Sequence, residues 1–231
     1  MSGTGKRAGR WMGGHAAVGA RRCSGLLALC CVWLPAWGWD MAEIGRRAEV
    51  LYGPQAEGSQ RLEAWWRLLA EQRDRDVEEQ LRAVNGFFND TLRFDDDRRI
   101  WQRIDYWATP VESLYQGAAD CEDYALAKYV SLRQLGVPME RLRLTYVKAS
   151  GQAHMVLAYY AEPDADPWVL DNRITAVLPA GQRSDLQPVY AFNGEGLWYA
   201  DRLAGDSQGL SRWQEVLHRM RREGFPSLVQ R

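Results

Sequence analysis

The chain has 231 residues, with 29 basic against 30 acidic side chains and 46% hydrophobic residues. That length and apolar content suit one domain with a real core and a helical extension. Near-balanced charge tells against a nucleic-acid partner, and eleven Trp with ten Tyr tell against a disordered chain.

Residues 1–38 carry Lys6, Arg7, Arg10, Arg21 and Arg22 and no acid, followed by an apolar run from Leu26 to Leu34. Pro35-Ala36-Trp37-Gly38 then places small residues at the two positions a signal peptidase reads. The pattern predicts a secretory signal peptide over 1–38, cut after Gly38. The apolar run falls short of the about 20 residues that span a bilayer, so no stable membrane insertion is expected after cleavage. Arg21-Arg22 keeps general and twin-arginine export both open. Cys23, Cys30 and Cys31 leave with this segment, and the remainder keeps one thiol, Cys121, with no internal disulfide possible. An unpaired cysteine in an oxidising compartment needs a chemical reason.

From Met41 to about Asp90 the pattern is helical. Leu62, Trp65, Trp66 and Leu69 recur at three- and four-residue spacing, as do Val77, Leu81, Val84 and Phe88. Gly53-Pro54 and the stretch from Glu71 to Asp76 mark the breaks. Asp95 to Arg99 reads as a solvated, charged turn. Thr109-Pro110 with Glu112 predicts a helix start. Gly117 to Asp120 reads as a short turn feeding a second helix over about 121–135, ended by Gly136-Val137-Pro138. Strand-like runs follow over 142–147, 155–160, 168–170, 188–192 and 197–199, and a helix over about 211–222 closes the chain. Helices leading into a helix and an antiparallel sheet make an α+β arrangement. Residues 39–231 form one domain in this reading, with a mainly helical lobe over 39–106 and a catalytic core over 107–231.

Asp120-Cys121-Glu122-Asp123, Ala153-His154-Met155 and Leu170-Asp171-Asn172 occur in the order a thiol nucleophile, its base and an orienting group require. At the first turn of its helix, Cys121 meets unpaired N–H groups and the positive helix end, which favour a thiolate. His154 is favoured as base over His218, which lies among Arg212, Arg219, Arg221 and Arg222 on the last helix. Asp171 is preferred as orienter, with Asn172 the alternative. Asp120, Glu122 and Asp123 oppose thiolate formation by repulsion. A divalent cation would relieve that conflict, and clustered oxygen donors without spare Cys or His point to Ca²⁺ rather than Zn²⁺. Acids at a helix start also occur simply because the helix dipole favours them.

Taken in order, these segments together with Trp107 to Leu114 and Arg183 to Asn193 make the chain resemble the bacterial transglutaminase-like cysteine proteases, most closely the LapG-type periplasmic proteases. The resemblance implies a transglutaminase or papain-like core with a triad on Cys121, His154 and Asp171. It implies a Ca²⁺ site that includes Asp120, Glu122 and Asp123. It also implies a periplasmic endopeptidase that cuts the N-terminal region of a large surface adhesin and so disperses a biofilm. An inner-membrane cyclic-di-GMP receptor is the implied inhibitor. Ala119 departs from the Gly usual in that family before the acid, a liability if the position needs positive φ. Two other readings stand beside this one. One is transglutaminase or amidase chemistry through the same thioester; the other is a non-catalytic periplasmic adaptor.

Overall fold

The computed structural model describes residues 39–199 and 202–228; the predicted signal peptide lies outside the described residues. Three helices open this part: α1 (Met41–Tyr52), α2 (Ala56–Gln72) and α3 (Val77–Thr91). Their starts follow from capping chemistry. The Asp40 carboxylate accepts from the N–H of Glu43, and Asp76 accepts from the N–H of Glu79. Their apolar faces pack against the elements that follow: Trp65 is fully buried, and its indole N–H donates to Ser131 Oγ at 2.8 Å. The helical residues therefore share one core with the rest of residues 39–228.

After α3 come β1 (Arg93–Phe94), a short helix α4 (Asp97–Ile100), α5 (Pro110–Gln116), β2 (Ala118–Ala119) and α6 (Cys121–Gln134). The helix start predicted at Thr109-Pro110 is realised as a capping box: Thr109 accepts from the Glu112 N–H, and Glu112 accepts from the Thr109 N–H. Two expectations need correction. Gly117 to Asp120 is not simply a turn, because Ala118 and Ala119 pair in parallel with Arg93 and Phe94. Nor is Asp95 to Arg99 wholly solvated, because Asp97 turns inward and is buried. Both errors have one cause: a two-residue strand and an inward acid depend on a partner some 25 residues away, which local pattern does not report.

The remaining strands are β3 (Leu142–Ala149), β4 (Gln152–Tyr159), β5 (Trp168–Leu170), β6 (Leu178–Pro179), β7 (Leu186–Phe192), β8 (Leu197–Tyr199) and β9 (Arg202–Gly205). They form a seven-stranded antiparallel sheet in the order β6-β5-β4-β3-β7-β8-β9. α6 lies on this sheet against β4 and β3, with Leu126, Tyr129, Val130 and Leu132 in the core. α7 (Ser211–Glu223) packs against α1 and seats Trp213 and Met220 in the same core.

A buried polar knot ties α7 to the start of α5. Glu223 is fully buried, and its Oε1 accepts from Tyr52 Oη at 2.6 Å and Thr109 Oγ1 at 2.5 Å. Burial, with the nearby Glu112 charge, pushes the Glu223 carboxyl up to about 8. The folded chain therefore holds this proton where the unfolded chain releases it. The contribution is fully present below the ordinary glutamate value of 4.5 and is lost as pH rises to about 8. Urea unfolding of the wild type should show a loss between pH 5 and pH 8 that Glu223→Gln reduces by roughly 2–4 kcal/mol. Identical pH dependence in the two proteins would contradict this.

Candidate active site

The loop that delivers Cys121 is built by backbone geometry. Gly117 ends α5 at φ 68°, a left-handed position suited to glycine. The Arg61 guanidinium seals that end by donating to the carbonyls of Leu114 and Tyr115. Ala119 is fully buried in β2 and does not adopt positive φ, so its side chain carries no backbone strain. Asp120 then caps α6. It accepts from the Asp123 N–H at 3.5 Å, and the Asp123 carboxylate accepts from the Asp120 N–H at 3.4 Å. This reciprocal cap makes Cys121 the first residue of the helix.

The Cys121 thiol is partly buried and donates to Glu122 Oε2 at 3.0 Å. The backbone N–H of Met155, next to His154 on β4, is near enough to favour the sulfur's charge. Burial pushes the thiol above its ordinary range. The Glu122 charge and hydrogen bond push the same way, then the Asp120 charge, and the Met155 N–H opposes them. The acids around the sulfur thus hold its proton in place.

His154 is the third residue of β4, paired across from Val147, so the strand starts three residues before the predicted run over 155–160. It is buried, and its Nε2 lies 2.8 Å from Asp171 Oδ1. Asp171 directly follows β5. Its Oδ1 also accepts from the Arg173 N–H at 3.0 Å, and its Oδ2 accepts from Arg183 Nη2 at 2.7 Å. Burial works against the Asp171 charge, but bonds from His154, the Arg173 N–H and Arg183 outweigh it and hold this carboxyl far below the usual range. Arg183 is fixed in turn by a two-pronged grip on Asp185, at 2.9 and 2.8 Å. Asn172 makes no bond to His154, and its buried Oδ1 has no partner. His218 lies on α7, away from this group. Arg183 belongs to a segment that carries the resemblance, but its bond to Asp171 joins residues 12 apart and is not legible from local pattern.

On the other side of the sulfur, Asp97, Asp120 and Glu122 bring one oxygen each to within 4.8 Å of one another. Asp97 Oδ2 accepts from the Tyr106 N–H at 2.5 Å, while its Oδ1 is buried without a partner. Burial, then the Glu122 and Asp105 charges, push Asp97 up to about 6, although the Tyr106 bond opposes them. Burial also raises Asp120, with Asp123, Glu122 and Asp97 adding repulsion. An all-oxygen donor set, crowded negative charge and an orphan oxygen fit a hard divalent cation. Asp123 stands outside this group: its oxygens serve the N–H groups of Ala108, at 2.6 Å, and Asp120. Asp97 joins Asp120 and Glu122 in the group instead.

A thiol at a helix start, laid against an antiparallel sheet that carries a His–Asp pair, is the architecture of a transglutaminase-like cysteine peptidase. Residues 66–185 match the bacterial transglutaminase-like cysteine proteinases, and the chain belongs to that family. It is similar to the solved structure of LapG from Legionella pneumophila, with 39% identity and a TM-score of 0.69 over 78% of this chain and 97% of that one. Similar agreement is found with EGTA-treated LapG (39%, TM-score 0.70) and calcium-bound LapG (38%, TM-score 0.68). These cover 78% of this chain and 97% and 98% of theirs. No curated protein matches the chain. No helix among the described residues is long and apolar enough to cross a membrane.

Proposed function

We propose that the chain is an exported, calcium-dependent cysteine endopeptidase of the periplasm that cuts the N-terminal region of a large surface adhesin and so promotes biofilm dispersal. The observation that carries the chemistry is the buried His154–Asp171 bond on β4, the strand against which the helix that starts at Cys121 packs. Cys121 Sγ attacks the scissile carbonyl and its proton passes to His154, which returns a proton to the leaving amine. Asp171 holds the tautomer and stabilises the imidazolium. The Cys121 N–H, free at the helix start, meets the developing oxyanion. Water then releases the acyl group from sulfur, with His154 taking the water's proton. The secretory segment at 1–38 supplies export, and an inner-membrane cyclic-di-GMP receptor is the proposed inhibitor.

Asp97, Asp120 and Glu122 would hold the calcium ion, whose positive charge offsets the repulsion that keeps the proton on the thiol. The likeness to calcium-bound and EGTA-treated LapG supports this reading. Calcium at about 100 times its Kd should stabilise the fold by about 2.7 kcal/mol. The shift should appear in thermal unfolding, reverse with EGTA, and vanish in Asp97→Asn. An unchanged Tm with calcium would remove the metal.

A second reading, acyl transfer to an amine, shares the Cys121 thioester. Incubation with an adhesin N-terminal fragment, with and without a primary amine, separates the two. Chain cleavage supports the peptidase, and amine incorporation without cleavage supports the transferase. An inert Cys121 thiol would leave the non-catalytic adaptor.

A further inference from the structure

Lys128 is fully buried on α6, two helical turns beyond Cys121. Among the described residues it faces no carboxylate within ion-pair distance. Its Nζ makes a single hydrogen bond, to Asn89 Oδ1 on α3 at 2.8 Å, and otherwise lies 5.5 Å from the Tyr124 ring. Burial pulls its pKa down to about 7, and the Asp171 charge is the one influence that opposes this. A buried ammonium without a counterion at contact distance costs stability, and a methionine of similar length would fill the same space without that cost. Packing therefore gives no reason for a lysine here.

Asn89 supplies one. Its Nδ2 donates to the carbonyl oxygens of Asp171 at 2.9 Å and Ile174 at 3.1 Å. One turn earlier on the same face of α3, Asn85 Nδ2 donates to the carbonyls of Ile174 and Thr175. These amides clamp the turn from Asp171 to Thr175. An ammonium is a donor only, so it requires the oxygen of Asn89 to face α6 and leaves both amide hydrogens for the turn. The same charge, near Asp171, favours its ionised form.

We propose that Lys128 is a positioning residue for the catalytic group: through Asn89 it ties the helix that carries Cys121 to the turn that carries Asp171, and so sets the aim of His154. The inference rests on the triad proposed above. It assigns to the base of α6 the task of fixing the distance between nucleophile and orienter.

The test uses Lys128→Met in the exported chain, with two readouts beside thermal unfolding. One is the rate of iodoacetamide alkylation of Cys121. The other is the far-downfield imidazole N–H resonance that a His154–Asp171 bond gives in ¹⁵N-histidine-labelled protein. In the variant, Tm should be unchanged or higher, while alkylation slows by about 10-fold or more and the resonance weakens or disappears. Alkylation within twofold of wild type with the resonance intact would overturn the proposal. So would a lowered Tm with both signals retained, since that is the signature of a purely structural lysine. Should Lys128→Met fail to fold, Asn89→Asp decides by the same criteria, because it keeps a partner for Lys128 but deletes the donations to the turn. A wild-type Cys121 that iodoacetamide does not touch would instead count against the triad itself, so the two failures are distinguishable.

Discussion

Cys121→Ala is expected to remove cleavage of the adhesin fragment, with a fall in kcat on the order of 10⁶-fold, while the fold survives. The thiol is the only nucleophile at the start of α6, so its loss ends the thioester route rather than slowing it. The stability change should be under about 1.5 kcal/mol, because a partly buried thiol is replaced by a smaller apolar group and the Asp120–Asp123 cap is untouched. Steady-state kinetics and thermal unfolding on the same preparation check both halves. Retained cleavage would move the nucleophile elsewhere. Loss of cleavage together with loss of the folded state would leave the assignment unsupported.

Asp171→Asn is the second large effect, expected at about 10⁴-fold in kcat. The amide cannot stabilise an imidazolium, and presenting its NH₂ to His154 would favour the wrong tautomer. The fold should lose about 1–3 kcal/mol, because Arg183 gives up a charged partner at Asp171 but keeps its two bonds to Asp185. Asp185→Asn is the matched control: it leaves the Asp171–Arg183 bond in place and should lower kcat by less than about 10-fold. Equal losses in the two variants would mean that the whole acid–arginine chain acts as scaffold and that Asp171 has no separate role.

The contrast between what could and could not be read from the sequence has a physical basis. Cys121 and His154 are scarce residue types, one free thiol and one of two histidines beyond residue 38, so order along the chain narrows them quickly. Cys121 starts α6 and His154 lies on β4, and those two elements pack together. The helix starts at Thr109 and Asp120 were legible because capping is local chemistry, decided within four residues. Asp97 was not legible, because the composition of its segment is that of any solvated turn. Only the parallel pairing of β1 with β2 carries it to Asp120. Asp123 shows the converse. Its oxygens answer the N–H groups of Ala108 and Asp120, and only the folded loop shows which acid of the triplet turns that way. Lys128 and Asn89 escaped for the same reason as Asp97: each is a common residue type, Asn89 meets the Asp171 carbonyl only through tertiary contact, and Lys128 meets Asn89 in the same way.

These long-range groups divide the work around the sulfur. Carboxylates hold the proton on Cys121, and a buried His–Asp pair, supported by Arg183, is the acceptor in the proposed mechanism. In the proposed mechanism a cation at Asp97, Asp120 and Glu122 would shift that balance toward the thiolate.

The most direct measurement is the pseudo-first-order rate of Cys121 carboxamidomethylation, followed by intact mass in calcium-containing buffer, for the wild type and His154→Ala. An ion pair between sulfur and imidazole predicts rapid modification of the wild type and a rate at least about 10-fold lower without the imidazole. Equal rates in the two proteins, or a wild-type thiol that stays unmodified, would contradict the account.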